Sequence, residues 1–276
     1  MEGKERRRRA ARQTGAGPGR GGREGSELLQ VEGRRPVLEL LRGDHPVHRV
    51  LVAAGRRGAP IAEVWSLARR RGIPVEVVDP EELARRAQTD SHQGVIALAD
   101  PPRLLEPADL LEIAARRGEP PLLLVCAEIQ DPHNLGALFR TAEAAGAHGA
   151  LVPKHRSAPL NATVYKSSAG ALVHLPVARV TNLSRAIEEL KQAGVWTVAA
   201  DPDAPRPYDQ SDLTGPVAIV LGSEGRGVPR LVRERCDELV SIPMRGRVGS
   251  LNVSVAGGIL LFEAARQRRL AAAGAR

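Results

Sequence analysis

From residue 121 onward the chain repeats one pattern: a short apolar run, a turn, then a stretch whose apolar residues recur every three or four positions. The runs at 121–126, 150–152, 175–180, 196–200, 217–221 and 239–242 read as strands. The stretches at 134–145, 161–171 and 187–193 read as the helices between them, and 251–269 as a long closing helix. Strand–helix alternation of this kind implies a parallel sheet covered on both faces. The pattern therefore predicts an α/β domain over 119–276.

A smaller α/β unit is expected over 26–100. Pro36 opens a helix with Val37, Leu40 and Leu41 on one side, and Ile61, Val64, Trp65 and Leu67 mark a second helix. A third helix is expected at 80–88, and strands at 48–53, 74–78 and 94–98. Residues 101–118 begin with Pro101 and Pro102 and read as linker with a short helix at 108–116.

Residues 1–25 differ from both units. They hold eight Lys/Arg and three Glu, a net of +5 out of +8 for the chain, and show no apolar periodicity. Such a segment buries too little to offset ordering entropy and is expected to be a disordered basic tail. It suits a polyanionic partner. Only six aromatics are present, which argues against RNA binding through a broad stacking platform.

Several classes are excluded on motif grounds. No phosphate-binding P-loop sequence occurs, and no G-x-G-x-x-G follows the first strand of either unit. The seven histidines do not cluster with cysteines at metal-ligand spacing, so no metal is expected. No nucleophile-elbow triad is visible. No run of about 18 apolar residues exists to span a membrane, and the N-terminus has no secretory pattern. Cys126 and Cys236 both lie in apolar-leaning stretches and read as buried thiols, which suits a reducing, cytoplasmic setting.

Three constellations carry chemistry. The first runs from Asp131 to Gly146: Asn134 is expected as a helix N-cap, Leu135, Leu138, Phe139 and Ala142 form the apolar stripe, and Gly136, Arg140 and Glu143 share another face. A glycine one turn before an arginine leaves bare backbone where a phosphate or ribose can approach; a plain surface pair of Arg140 with Glu143 is the other reading. In the second, the apolar strand at 217–221 runs into Gly222, Gly225 and Gly227 with Glu224 between them, which reads as a ligand loop at a strand end or as a flexible turn. In the third, Ser250, Asn252 and Ser254 crowd the start of the last helix, whose apolar side is read as Leu251, Val255, Ile259 and Phe262. That start offers free amides to a polar ligand, or Ser250 simply caps it.

Taken together these segments resemble the SpoU (TrmH-like) family of RNA 2′-O-ribose methyltransferases. The residues that carry the resemblance are Asn134 with Arg140, Leu221-Gly-Ser-Glu-Gly225, and Ile242-Pro-Met followed by Ser250-Leu-Asn-Val-Ser254, in that order. Lys166-Ser-Ser-Ala-Gly-Ala171 resembles an intervening segment of the family. Val31 to Val37 and His92 to Val95 resemble a ribosomal-protein-like RNA-binding domain. The resemblance implies a trefoil-knotted fold, a homodimer with active sites near the subunit interface, S-adenosylmethionine as methyl donor, and RNA, most of all a guanosine of 23S rRNA, as acceptor. It implies cofactor contacts at Gly222, Ile242 and Leu251, and catalytic or substrate-side roles for Asn134, Arg140, Glu224, Ser250 and Asn252. A transfer RNA acceptor, or a non-catalytic RNA-binding or ribosome-assembly role, are the alternatives. Arg140 is open to two roles, base or phosphate ligand; a guanidinium accepts protons poorly, which leaves Glu224 or a water to take one.

Overall fold

The computed structural model describes residues 28–274. The basic segment 1–25 lies outside them.

The smaller unit comprises β1 (Leu29–Glu32), α1 (Arg34–Arg42), β2 (Val47–Ala53), α2 (Ala59–Arg70), β3 (Val75–Val78), α3 (Pro80–Arg86) and β4 (Val95–Ala99). Its sheet has the order β1-β4-β2-β3, with β4 antiparallel to both neighbours and β3 parallel to β2. Strand β1 has no counterpart in the sequence reading, because four residues are too short for a period; its pairing with β4 makes it a strand. In α2 the buried stripe is Ile61, Val64, Leu67 and Ala68, while Trp65, expected among them, stands 40% exposed. The stripe is complete without it at i, i+3 and i+7, so the indole is turned out of the core.

The larger unit follows as α4 (Pro107–Arg117), β5 (Leu122–Ala127), α5 (Pro132–Ala144), β6 (Gly149–Pro153), α6 (Ala162–Ser167), β7 (Val177–Val180), α7 (Leu183–Gln192), β8 (Trp196–Ala200), β9 (Val217–Gly222), α8 (Arg230–Arg233), β10 (Glu238–Val240) and α9 (Val253–Gly274). All six strands are parallel, in the order β10-β8-β9-β5-β6-β7. The expected parallel α/β sheet is therefore present. Central β5 and β9 are buried along their whole length, which is why both read as unbroken apolar runs. One apolar cluster covers one face of the sheet and continues without a break into the smaller unit, from Leu138, Phe139 and Tyr165 to Val31 and Leu40. A second cluster, around Val125, Ile187 and Val220, covers the other face. The proline-rich connection is pinned too: Leu105 bridges to Ala178 of edge strand β7, its N–H donating to the Val177 carbonyl at 2.9 Å.

Helices α6 and α9 also differ from their sequence reading. Helix α6 is capped by Asn161, which accepts from the Thr163 and Val164 amides at 3.1 and 3.3 Å. It ends at Ser167 rather than 171, where Ala169 and Gly170 take left-handed backbone (φ 53° and 91°). Helix α9 buries Val253, Gly257, Leu260, Leu261 and Ala264, whereas Leu251, Val255 and Phe262 of the expected core stripe are exposed. Its apolar residues ring the helix on nearly all sides, so periodicity cannot say which side faces the sheet.

Candidate active site

In open parallel sheets ligands bind beyond the carboxyl ends of strands where the strand order reverses. The chain steps outward from β5 through β6 to β7, then returns to place β8 and β9 on the other side of β5. A cavity of about 530 Å³ lies at the carboxyl ends of β8, β9 and β10, lined by the loops around 222–227 and 242–253.

The first loop leaves β9 at Gly222 and doubles back on it. The Ser223 and Gly227 backbones exchange hydrogen bonds at 3.1 and 2.8 Å, and Gly225 and Gly227 have φ of 79° and 67°. A Cβ on Gly222 would lie 1.9 Å from the carbonyl carbon of Gly227. The space over Gly222 is thus filled by its own loop. The glycine permits the reversal, and the reversal sets Glu224 at the cavity's edge.

Asn252 ties three segments together. Its Oδ1 accepts from the amide and hydroxyl of Ser254 at 2.9 and 2.5 Å, so Asn252 caps α9. Ser250, expected as a possible cap, instead lines the cavity. The Asn252 Nδ2 donates to Asn134 Oδ1 at 2.9 Å and to Glu224 Oε1 at 2.5 Å. Asn134 is free to take part because it does not cap α5, contrary to the sequence expectation. Pro132 opens that helix and Asp131 caps it, accepting from the His133 amide at 2.9 Å. This puts Asn134 inside the first turn with its side chain buried.

The walls of the cavity are apolar at Leu221, Val240, Ile242 and Leu251, and its polar side chains include Glu224 and Asp201. Among the described residues neither Lys nor Arg lines it. Its apolar walls and Glu224 suit a ligand with an apolar heterocycle and positive charge, and the volume is that of an ordinary small-molecule site. Asp201 was not foreseen. It accepts from Arg233 and from the Asp203 amide, both at 2.9 Å. Its signal in the sequence was a carboxylate directly after a buried strand.

Arg140 is elsewhere. It stands on the exposed side of α5 and lines a second cleft, of about 760 Å³, between the two units. Nor does Gly136 present bare backbone beside it: a Cβ there would lie 1.9 Å from Ser167 Oγ, because α6 packs against α5 at that point. Of the eight sequence-derived site residues, Asn134, Gly222, Glu224, Ile242, Ser250, Leu251 and Asn252 gather at or beside the cavity, and Arg140 does not. Both thiols are held protonated by burial, with Cys236 pushed up to about 12, and neither is paired.

The parallel sheet and the cavity at its carboxyl edge define an α/β protein with a small-molecule site beyond its strand ends. The signature of the SpoU rRNA Methylase family matches residues 121–262, and that of an RNA 2′-O ribose methyltransferase substrate binding domain matches residues 30–105. The chain belongs to the SpoU methylase family. It is 46% identical over 241 residues to the 23S rRNA (guanosine-2′-O-)-methyltransferase RlmB of Vibrio cholerae, across 83% of this chain and 97% of that protein. It is 42% identical to the protein of the same name from Pseudomonas putida, across 89% and 99%. The SpoU methyltransferase AviRb from Streptomyces viridochromogenes, solved with the cofactor AdoMet, superposes with a TM-score of 0.73 at 27% identity, covering 88% of this chain and 91% of that one.

Proposed function

We propose that this chain transfers a methyl group from S-adenosylmethionine to the ribose 2′-OH of a guanosine in 23S rRNA. The observation that carries this reading is the apolar-walled cavity at the sheet's carboxyl edge, with Asn134, Glu224 and Asn252 linked beside it. S-adenosylmethionine carries positive charge, which suits Glu224, and an adenine, which suits Leu221, Ile242 and Leu251. The two relatives named for guanosine-2′-O-methylation of 23S rRNA are matched over nearly their whole length, which supports the acceptor.

When bound, the cofactor supplies an electrophilic methyl and a neutral thioether leaving group. The protein's own task is to position an oxygen and remove its proton. Asn252 holds one oxygen of Glu224, leaving the other to accept the proton of the 2′-OH. Asn134, steadied through the same amide, orients the ribose. Arg140 holds the neighbouring phosphate and stabilises the developing alkoxide.

Because Arg140 does not line its own chain's cavity, we read the working enzyme as a homodimer in which the partner completes the site. The exposed Leu251 at the cavity and the exposed Val255 and Phe262 along α9 support this reading, since exposed large apolar side chains suit an interface. The trefoil knot characteristic of the resemblance belongs to the same proposal. So does a cytoplasmic location, which the two free thiols and an rRNA substrate favour.

The test is methyl transfer from tritiated donor to 23S rRNA fragments, with the acceptor nucleotide mapped. One modified guanosine is expected, with no transfer once that ribose is replaced by deoxyribose. Transfer to the deoxy-substituted RNA, or to transfer RNA alone, would sink the assignment.

A further inference from the structure

Gln93 and Ala169 are two of the four non-glycine residues with left-handed backbone among the described residues, with φ of 54° and 53°. One belongs to the smaller unit and the other to the larger, and both line the cleft that Arg140 opens into. Left-handed backbone is costly for a residue with a Cβ and tends to collect at binding sites. A smaller hollow of about 320 Å³, lined by Arg35, Ser91 and Lys166 as well as the same two residues, adjoins the cleft.

The charges in the cleft are unequal. Arg34 and Arg35, at the start of α1, face it from one side and Arg140 from the other. None of the three takes part in an ion pair among the described residues, whereas the cleft's Glu39 is already engaged by Arg42 at 2.5 Å and by His174 at 3.1 Å. Glu143 is the remaining carboxylate. The net character is cationic, and guanidinium forks match phosphate oxygens.

The cleft is also built to keep its width. Lys166 of the larger unit donates to Thr89 Oγ1 of the smaller at 3.3 Å. Thr89 in turn donates through its hydroxyl and amide, at 2.5 and 3.0 Å, to Glu32, which is fully buried and also accepts from the Gln88 amide. With the apolar core continuous beneath, the two walls behave as one packed body.

We propose that this cleft is the groove for the phosphate backbone of the RNA strand beside the acceptor nucleotide, with Arg34 and Arg35 holding phosphates and leading the strand to Arg140. The scarcity of aromatics fits a groove that grips backbone rather than stacks bases. The placement rests on the chain being an RNA methyltransferase.

The experiment compares full-length wild type with an Arg34→Ala/Arg35→Ala double variant, and with Arg69→Ala/Arg70→Ala on the exposed outer side of α2 as control. Affinity for a 23S rRNA fragment is measured across a salt series, beside the KM and kcat of methyl transfer and the affinity for S-adenosylmethionine. Loss of two phosphate contacts on a single strand should make the slope of log K against log salt shallower by about 1.4. The KM for RNA should rise on the order of tenfold, with kcat much less affected and donor affinity retained, while the control stays within about twofold. An Arg35→Lys variant should recover part of the affinity. A double variant with wild-type slope and KM would overturn the groove and leave the methyltransferase reading standing. A shallower slope in the double variant, with wild-type protein that binds the RNA but never methylates it, would overturn that reading and leave the groove. Wild type that neither binds nor methylates would overturn both.

Discussion

The donor cavity and the interdomain cleft lie in one chain and are chemical opposites. The first has apolar walls, Glu224, an Asp201 already paired with Arg233, and no basic side chain among the described residues that line it. The second has Arg34, Arg35 and Arg140 and its main carboxylate, Glu39, already neutralised. The sulfonium donor and the polyanionic acceptor are each met by a surface of suited charge, and within this chain the two surfaces lie apart. The cavity sits where a parallel sheet naturally leaves a crevice, and the cleft where a second unit is packed against α5 and α6. The reaction needs both at one atom, which is the ground for the proposal that a second copy of the chain completes the site.

The largest expected effect breaks that division directly. Arg140→Ala and Asn252→Ala should each lower methyl transfer on the order of a hundredfold to a thousandfold, as loss of a group acting on developing charge does. Arg140→Ala should leave donor affinity, read by calorimetry, intact. If the partner supplies Arg140, mixing the two inactive variants should restore about a quarter of wild-type activity through mixed dimers with one whole site. A mixture that stays inactive, with mixed dimers confirmed by mass, would place Arg140 and the cavity in the same chain's site.

A smaller effect is confined to the donor side. Gly222→Ala puts a Cβ 1.9 Å from the Gly227 backbone, so the loop carrying Glu224 must shift. The cost should be about 1–3 kcal/mol of stability, as for other overpacked positions, with a lower affinity for S-adenosylmethionine. RNA affinity should be unchanged. Equal losses at both ligands would mean that the two regions are not separable.

The mildest test uses salt alone. Between 50 and 200 mM the affinity for RNA should fall by on the order of a hundredfold or more, because counterions are released from the backbone. Donor affinity should move by less than about twofold, since its charges are few and sit in an enclosed site. A steep salt dependence of donor binding would contradict the cavity's assignment to that ligand.

Much of the architecture was legible from local order. Apolar runs such as 217–221 are strands because they are buried on both sides, and that burial is written in consecutive residues. Asn134, Glu224 and Asn252 could be picked out because each sits in a short segment of distinctive composition. Their partnership could not, because the Asn252 amide reaches residues 118 and 28 positions away. The role of Asn134 also turned on which residue opens α5: Asp131 caps as well as an asparagine, and Pro132 fits the first turn, so the helix starts earlier than its apolar stripe shows.

The amino-acid order by itself determined the alternation of strands and helices, the parallel sheet, the glycine loop after β9 and the family, because these depend on neighbours in the chain. Tertiary structure alone decided which side of α9 meets the sheet, why Gly136 and Gly222 must be glycine, and that Arg140 faces the smaller unit rather than its own donor cavity. Those outcomes depend on what packs against each residue from distant parts of the chain, and a local period carries no record of that.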